Sequence, residues 1–312
     1  MNTVVSIVYV NYNSSALIVD SIDSLTAHCK DVPFEVIIVD NASKVEEKLK
    51  LDSLRMERNW NNIQIIYAGE NLGFGRANNL GATKAIGKYL FFLNPDTLIC
   101  NDVVRILFDF LESSEPKIIA CGGSLLTADK KPTSSYGNLP GIFQELGNIG
   151  LGLSFILGGY YKRHLAINAA VYQTTPTKVP YIVGADIFIY ADAFNDLNGF
   201  DECFFMYYEE TDLFYRLSKK RLDSYIVPDA QIIHLEGGAV NSLATEKFNH
   251  AKFEMLLASK IYYYRKWSSK SSLPLFKLIF LLQIVVQFTK GNMGSQLKPL
   301  LKSYFSIVLG AK

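Results

Sequence analysis

The chain has 312 residues, 49% hydrophobic and 20% charged, a balance that excludes disordered and collagen-like chains and allows one large domain or two modest ones. Its net charge of +1 conceals two opposed parts: residues 247–312 hold eleven Lys or Arg against the one acid Glu254, a local +10, so the preceding 246 residues carry −9. The acidic body argues against a nucleic-acid partner, whereas the basic tail suits an anionic surface such as membrane headgroups.

In chain order, residues 4–10 form a β-rich run that stops at Asn11-Tyr12-Asn13, and Ser14 or Ser15 can cap a helix with Ile18, Ile22 and Leu25 on one face. Further apolar runs occupy residues 34–39, ending at Asp40, residues 63–68, and Tyr89–Leu93, ending at Asn94-Pro95-Asp96. Helical patterns lie between them at 45–58 and 75–86. After the fourth run Asn101 is expected to cap a helix carrying Val104, Leu107, Phe108 and Leu111 on one stripe. The βα alternation predicts an α/β fold with a mostly parallel sheet, helices on both faces, and ligands beyond the carboxyl ends of the strands.

Residues 127–177 lose the pattern, with an uncharged stretch at 146–161, and read as a long excursion suited to an acceptor-side lid. Order resumes with an apolar run at 179–190, a short helix ended by Gly199, a helix near 210–218, and strands near Tyr225 and Ile232. The tail reads as a helix over 246–267 followed by an apolar segment, Leu273–Thr289. Only twelve residues separate Lys277 from Lys290, short of the roughly 20 needed to span a bilayer. Cysteines 29, 100, 121 and 203 form no metal or disulfide pattern, and the N-terminus has no basic start or cleavage site, so a reducing, cytosolic setting is expected.

Candidate chemistry gathers at the strand ends. Asp40 closes an apolar strand and needs donors, which a nucleobase, a ribose or simply the cap of the next helix supplies. Asn94-Pro95-Asp96 holds a carboxylate where diphosphate oxygens can complete a divalent cation's shell, although a plain turn has the same composition. Asp201, Glu202, Glu209, Glu210 and Asp212 stand within twelve residues among aromatic side chains, a setting that raises carboxylate pKa values and suits a general base, or else compensates a helix dipole. His234 sits at a strand end before Gly237-Gly238. Gly73-Phe74-Gly75-Arg76-Ala77-Asn78 approaches a dinucleotide fingerprint, with Asn in place of the third glycine, and keeps an oxidoreductase as an alternative.

In order, residues 6–13, Glu35 to Ser43, Asn71 to Gly81, Asn94-Pro95-Asp96, Gly199 to Glu202 and Tyr208 to Asp212 resemble the family 2 glycosyltransferases, bacterial rhamnosyltransferase-like members in particular. The resemblance implies a GT-A fold over residues 1–240, with a nucleotide-sugar half at 1–125 and an acceptor half at 126–240. Residues 241–312 would form a helical region that associates peripherally with the cytoplasmic face of a membrane, or packs, or dimerises.

It also implies an inverting transfer from dTDP-rhamnose or a UDP-sugar to a glycan or lipid-linked acceptor in cell-surface polysaccharide synthesis. Asn11, Asp40, Asn71, Arg76, Asn78 and Asn94 would line the nucleotide. Asp96 and His234 would hold Mn²⁺ or Mg²⁺. Glu210 would take the acceptor proton, with Glu209 and Asp212 as rivals, and Asp186 and Asp201 would face the acceptor. Asn94 stands where the family often has a first aspartate, and Glu209-Glu210 stands for its usual Glu-Asp, departures that keep a non-catalytic sugar-binding subunit in view.

Overall fold

The computed structural model describes residues 3–57, 62–149, 173–235, 250–289 and 297–309. They group into two compact units. The first comprises Met1–Gly137, Ala170–Cys203 and Glu209–Ser242; the second comprises Asn138–Ala169, Phe204–Tyr208 and Leu243–Lys312. Residues 138–149 therefore belong with the C-terminal helices, whereas the sequence places them in an acceptor half running to 240.

The first unit is built on β1 (Val5–Asn11), β2 (Phe34–Asp40), β3 (Ile63–Tyr67) and β4 (Tyr89–Leu93), which run parallel in the order β3-β2-β1-β4. These are the four apolar runs of the sequence. The connecting helices are α1 (Ser15–His28), α2 (Val45–Glu57) and α3 (Gly73–Ala82). Ile18, Ile22 and Leu25 of α1 are fully buried, each worth roughly 1.5–3 kcal/mol. On the other face Gly81 lets α3 approach the sheet, since a Cβ there would lie 2.4 Å from Val8 Cγ1.

Beyond β4 the sheet turns mixed. It continues through β5 (Thr97–Ile99), β6 (Ile118–Leu126), β8 (Thr177–Val179), β10 (Asp186–Tyr190) and β11 (Asp223–His234), while β7 (Tyr136–Gly137) pairs with β9 (Tyr181–Ile182) separately. β10 inserts antiparallel between β4 and β6. The apolar run at 179–190 is thus not one strand: it breaks at Val183-Gly184-Ala185, where the chain leaves the small sheet for the large one.

Helix α4 (Val103–Glu112) is capped by Asp102, whose side chain accepts from the Arg105 N–H, and not by Asn101. Asn101 instead ties its loop to β11, donating to the Asp229 carbonyl at 2.6 Å and accepting from the Gln231 N–H at 3.1 Å. Both residue types cap well, and tertiary partners decided between them.

The first unit also holds α6 (Ala191–Asp196) and α7 (Glu209–Lys219). The second unit packs α5 (Ile142–Gly147), α8 (His250–Trp267), α9 (Leu273–Thr289) and α10 (Leu297–Val308) around Leu257, Ile261, Tyr264, Phe276, Phe280, Leu300 and Tyr304. Among its described residues the one buried acid, Glu145, is fully enclosed and met by Lys260 Nζ at 2.5 Å, Tyr264 Oη at 3.0 Å and Gln283 Nε2 at 2.9 Å. Residues 150–172, within the expected lid at 127–177, lie outside the described residues. No described helix is long and apolar enough to cross a membrane.

Candidate active site

The parallel register puts Asn11 opposite Asp40 at the carboxyl ends of β1 and β2. Asn11 Nδ2 donates to Asp40 Oδ2 at 2.8 Å, the Ser43 N–H donates to Asp40 Oδ1 at 3.1 Å, and the Ser14 N–H and hydroxyl donate to Asn11 Oδ1 at 3.1 and 3.0 Å. Both side chains are fully buried. The capping alternative for Asp40 is therefore met by its contacts, and the pair braces two strand ends.

The next residue, Asn41, which sequence reasoning passed over, extends this edge. Its Nδ2 donates to Asn71 Oδ1 at 3.0 Å and to the Gly73 carbonyl at 3.1 Å, and its Oδ1 accepts from the Leu72 N–H at 2.7 Å. The loop so held starts α3 at Gly73, whose φ of 79° suits glycine. Of the residues expected to line the nucleotide, Asn71 and Arg76 stay accessible. Asn78 does not: it is 2% exposed and donates to the Phe74 carbonyl of its own helix at 3.1 Å.

Asn79, likewise unanticipated, latches α3 to the Gly199–Glu202 turn. Its Nδ2 donates to the Phe200 carbonyl at 2.8 Å and its Oδ1 accepts from the Phe200 N–H at 2.9 Å. Phe200 is buried against Phe74, Phe92 and Phe194. Asn79→Ala strips both backbone groups of this partner and is expected to lower stability by about 2–3 kcal/mol in urea denaturation. A loss below about 0.5 kcal/mol would show that the latch is idle.

At the end of β4, the Asn94 N–H donates to the Ala185 carbonyl at 2.9 Å and the Asn94 carbonyl accepts from the Thr97 hydroxyl at 2.7 Å. These bonds fix the turn that carries Asp96, whose carbonyl accepts from the Leu235 N–H at 2.9 Å just after β11. His234 pairs with Thr97 across the β5–β11 ladder, so its Nε2 lies 3.3 Å from Asp96 Oδ1, both side chains partly exposed. No group of three His, Cys, Asp or Glu side chains suited to a metal occurs among the described residues. A carboxylate and an imidazole this close do fit a divalent cation whose remaining positions come from ligand oxygens.

The acid cluster opens α7 (Glu209–Lys219), directly after Tyr207 and Tyr208, which hold left-handed φ values of 71° and 70°. Asp212 is fully buried and engaged by Arg216 Nε at 2.7 Å, and Arg216 donates in turn to the carbonyls of Leu197 and Gly199. That clamp removes Asp212 as a candidate base. Asp186 is also fully buried, accepting from the Gly123 N–H at 2.5 Å, and is not placed to meet an acceptor. Asp201 stays at the surface and caps its own turn through the Cys203 N–H at 2.9 Å.

Glu209 and Glu210 remain, and they differ. Glu209 is 1% exposed, lies against Gly75, and leaves Oε1 without a hydrogen bond among the described residues. Burial first, then the Glu210 charge, pushes its carboxyl up to about 8. Glu210 is less covered; burial raises its pKa too, opposed by its own N–H and that of Thr211. Its Cδ lies 3.9 Å from where a Cβ on Gly184 would sit, and the Phe74 ring edge lies 3.5 Å from the same point. Gly184 precedes Ala185, which holds Asn94. One short segment thus brings the start of α3, the Asn94–Asp96 turn and the Glu210 carboxyl to the same edge of the sheet.

Because Glu209 holds its proton more tightly folded than unfolded, folding takes up a proton between the ordinary carboxylate range and pH 8, and stability is lost as pH rises through that window. Glu209→Gln removes this penalty. Its melting temperature is expected to exceed wild type at pH 8–9, by the equivalent of roughly 4 kcal/mol, and to match it near pH 4. A difference independent of pH would show that Glu209 is charged in the fold.

Comparison with known proteins gives the family and the fold. Residues 6–181 match the sequence model of glycosyl transferase family 2. Over 248 residues the chain is 25% identical to the N-acetylglucosaminyl-diphospho-decaprenol L-rhamnosyltransferase of Mycobacterium tuberculosis, covering 75% of this chain and 76% of the relative. Among solved structures, GalNAc-T7 with UDP, GalNAc and Mn²⁺ aligns with a TM-score of 0.63 at 16% identity, covering 97% of this chain and 54% of that one. The mannosyltransferase PcManGT of Pyrobaculum calidifontis with GDP-Man and Mn²⁺ aligns with a TM-score of 0.57 at 14% identity over 99% of this chain and 81% of that one. These two share the GT-A fold with it, and the oxidoreductase alternative falls: Gly73 and Gly75 serve a loop and a packing contact after β3. The chain belongs to glycosyl transferase family 2 and is a rhamnosyltransferase-like glycosyltransferase.

Proposed function

We propose that this glycosyltransferase moves a sugar from dTDP-rhamnose or a UDP-sugar, with inversion, to a hydroxyl of a glycan or lipid-linked acceptor in cell-surface polysaccharide synthesis. Its place would be the cytoplasmic face of a membrane. The observation that carries the reading is the Gly184 junction, which sets a cation-competent pair and an elevated-pKa carboxylate along one edge. The Mycobacterium relative, named for transfer to a diphospho-decaprenol-linked sugar, supports a lipid-linked acceptor.

Asp96 and His234 would hold Mn²⁺ or Mg²⁺, which when bound neutralises the charge developing on the departing nucleoside diphosphate. Asn71, Arg76 and Asn94 line the approach to that position, while Asn11, Asp40, Asn41 and Asn78 fix the backbone beneath them. Glu210 accepts the proton of the attacking hydroxyl at a carboxylate oxygen, and its raised pKa strengthens it as a base. Asp201 would meet the acceptor. Direct displacement needs no protein nucleophile.

The test is a thermal-shift panel of UDP, dTDP and GDP with and without Mn²⁺, followed by mass spectrometry of products from pooled donors and a membrane extract. Metal-dependent stabilisation by one nucleotide together with a mass gain of one sugar is expected. Stabilisation without turnover would assign the chain to the non-catalytic class, and neither would defeat the proposal.

A further inference from the structure

Helix α9 is apolar on two opposite faces. Phe276, Ile279, Phe280 and Ile284 are buried in the core of the second unit. Leu275, Leu278, Leu282 and Val285, spaced i, i+3, i+7, i+10, form the reverse face and are 44, 52, 40 and 37% exposed. A helix apolar all round belongs either inside a protein or in lipid, and here protein covers one side. Because α9 does not meet the length and hydropathy needed to cross a bilayer, lying along its surface is the arrangement left.

The neighbouring helix repeats the theme with charge added. On α10 and the residue following it, Lys298, Lys302, Phe305 and Leu309 recur at i, i+4, i+7, i+11, and all four are exposed. Lys270, exposed after the end of α8, precedes α9, whereas Arg265 donates to the Val308 carbonyl at 3.2 Å. Lys277, within α9, is turned away from the leucine face, its Nζ 3.3 Å from the Val308 carbonyl. Cations on the same exposed stripe as an aromatic and an aliphatic side chain, as on α10, are the pattern of an interfacial helix.

We propose that the outward faces of α9 and α10 dock on a bilayer containing anionic lipid, with Leu275, Leu278, Leu282 and Val285 entering the acyl boundary and Lys298 and Lys302 meeting headgroups. Charge selects this occupant. A second copy of the chain would bring another +10 tail against the first, while phosphate headgroups complement it and acyl chains take the leucines. The proposal deepens the lipid-linked acceptor reading by naming what holds the enzyme at its acceptor. None of the residues assigned to donor or base takes part.

Flotation of the full chain with vesicles of phosphatidylcholine alone or mixed with phosphatidylglycerol tests it. The wild type is expected to float with the mixed vesicles, less so at high salt and weakly with phosphatidylcholine alone. Leu278→Glu with Leu282→Glu should cut the floated fraction at least about tenfold with unchanged circular dichroism and melting temperature, the substituted side chains being half exposed. Should that pair fold poorly, Lys298→Glu with Lys302→Glu should abolish the preference for phosphatidylglycerol.

Equal flotation of the folded leucine variant, no flotation of wild type, or a solution dimer lost in the leucine variant while flotation persists would each overturn the proposal. A protein that floats but binds no nucleoside diphosphate would leave this surface standing and defeat the sugar-transfer reading instead.

Discussion

Glu210→Gln is expected to lower kcat for sugar transfer by about 10²–10⁴-fold and to leave nucleotide affinity within about twofold. Gln keeps the size and polarity of the side chain in the first turn of α7, so the contacts around Gly184 persist while the proton acceptor is gone. The working base must be ionised. Burial holds Glu210 above the ordinary carboxylate range, so wild-type kcat should rise with pH along a limb displaced upward from that range, and the limb should vanish in the variant.

The neighbouring acids give contrasting outcomes. Asp212→Asn breaks the Arg216 clamp on the Leu197 and Gly199 carbonyls and should act on melting temperature before turnover. Near-normal turnover by Glu210→Gln would move the base to Glu209, whose enclosure makes it the poorer proton acceptor for an incoming hydroxyl.

Asp96→Ala is expected to weaken metal-dependent nucleotide binding by about 10–100-fold while leaving the metal-independent part unchanged, as read by calorimetric titration with and without Mn²⁺. With two protein groups in the described site, removing the carboxylate leaves His234 as the remaining protein ligand and withdraws the negative charge that attracts the cation. His234→Ala should fall in the same direction by a smaller factor, because a neutral imidazole contributes no charge. An unaltered Mn²⁺ titration in Asp96→Ala would remove the ion from this position.

Much of the fold was legible because buried parallel strands must be continuously apolar and must stop where polar groups meet the sheet edge. Asn11, Asp40 and Asp96 marked such stops before any coordinates. Less legible was which polar residue does which job. Asn101 and Asp102 cap equally well in isolation; Asn41 and Asn79 lie inside family-like segments, but their roles depend on partners roughly 30 and 120 residues away. Likewise, Asp186, Asp212 and Asn78 look like site residues by type and become structural only when burial and partners are known.

By itself the sequence determined the βα alternation, the position of each strand end, the acid-rich opening of α7 and the basic, apolar tail, since these follow from local periodicity and charge. The tertiary structure decided what depends on distant pairing. It inserted β10 between β4 and β6, brought Gly184 under Glu210, and set His234 beside Asp96 through the β5–β11 ladder. It also turned one face of α9 inward and left the other bare. Such outcomes depend on ladder register and packing between segments far apart in the chain, quantities that no local window of residues contains.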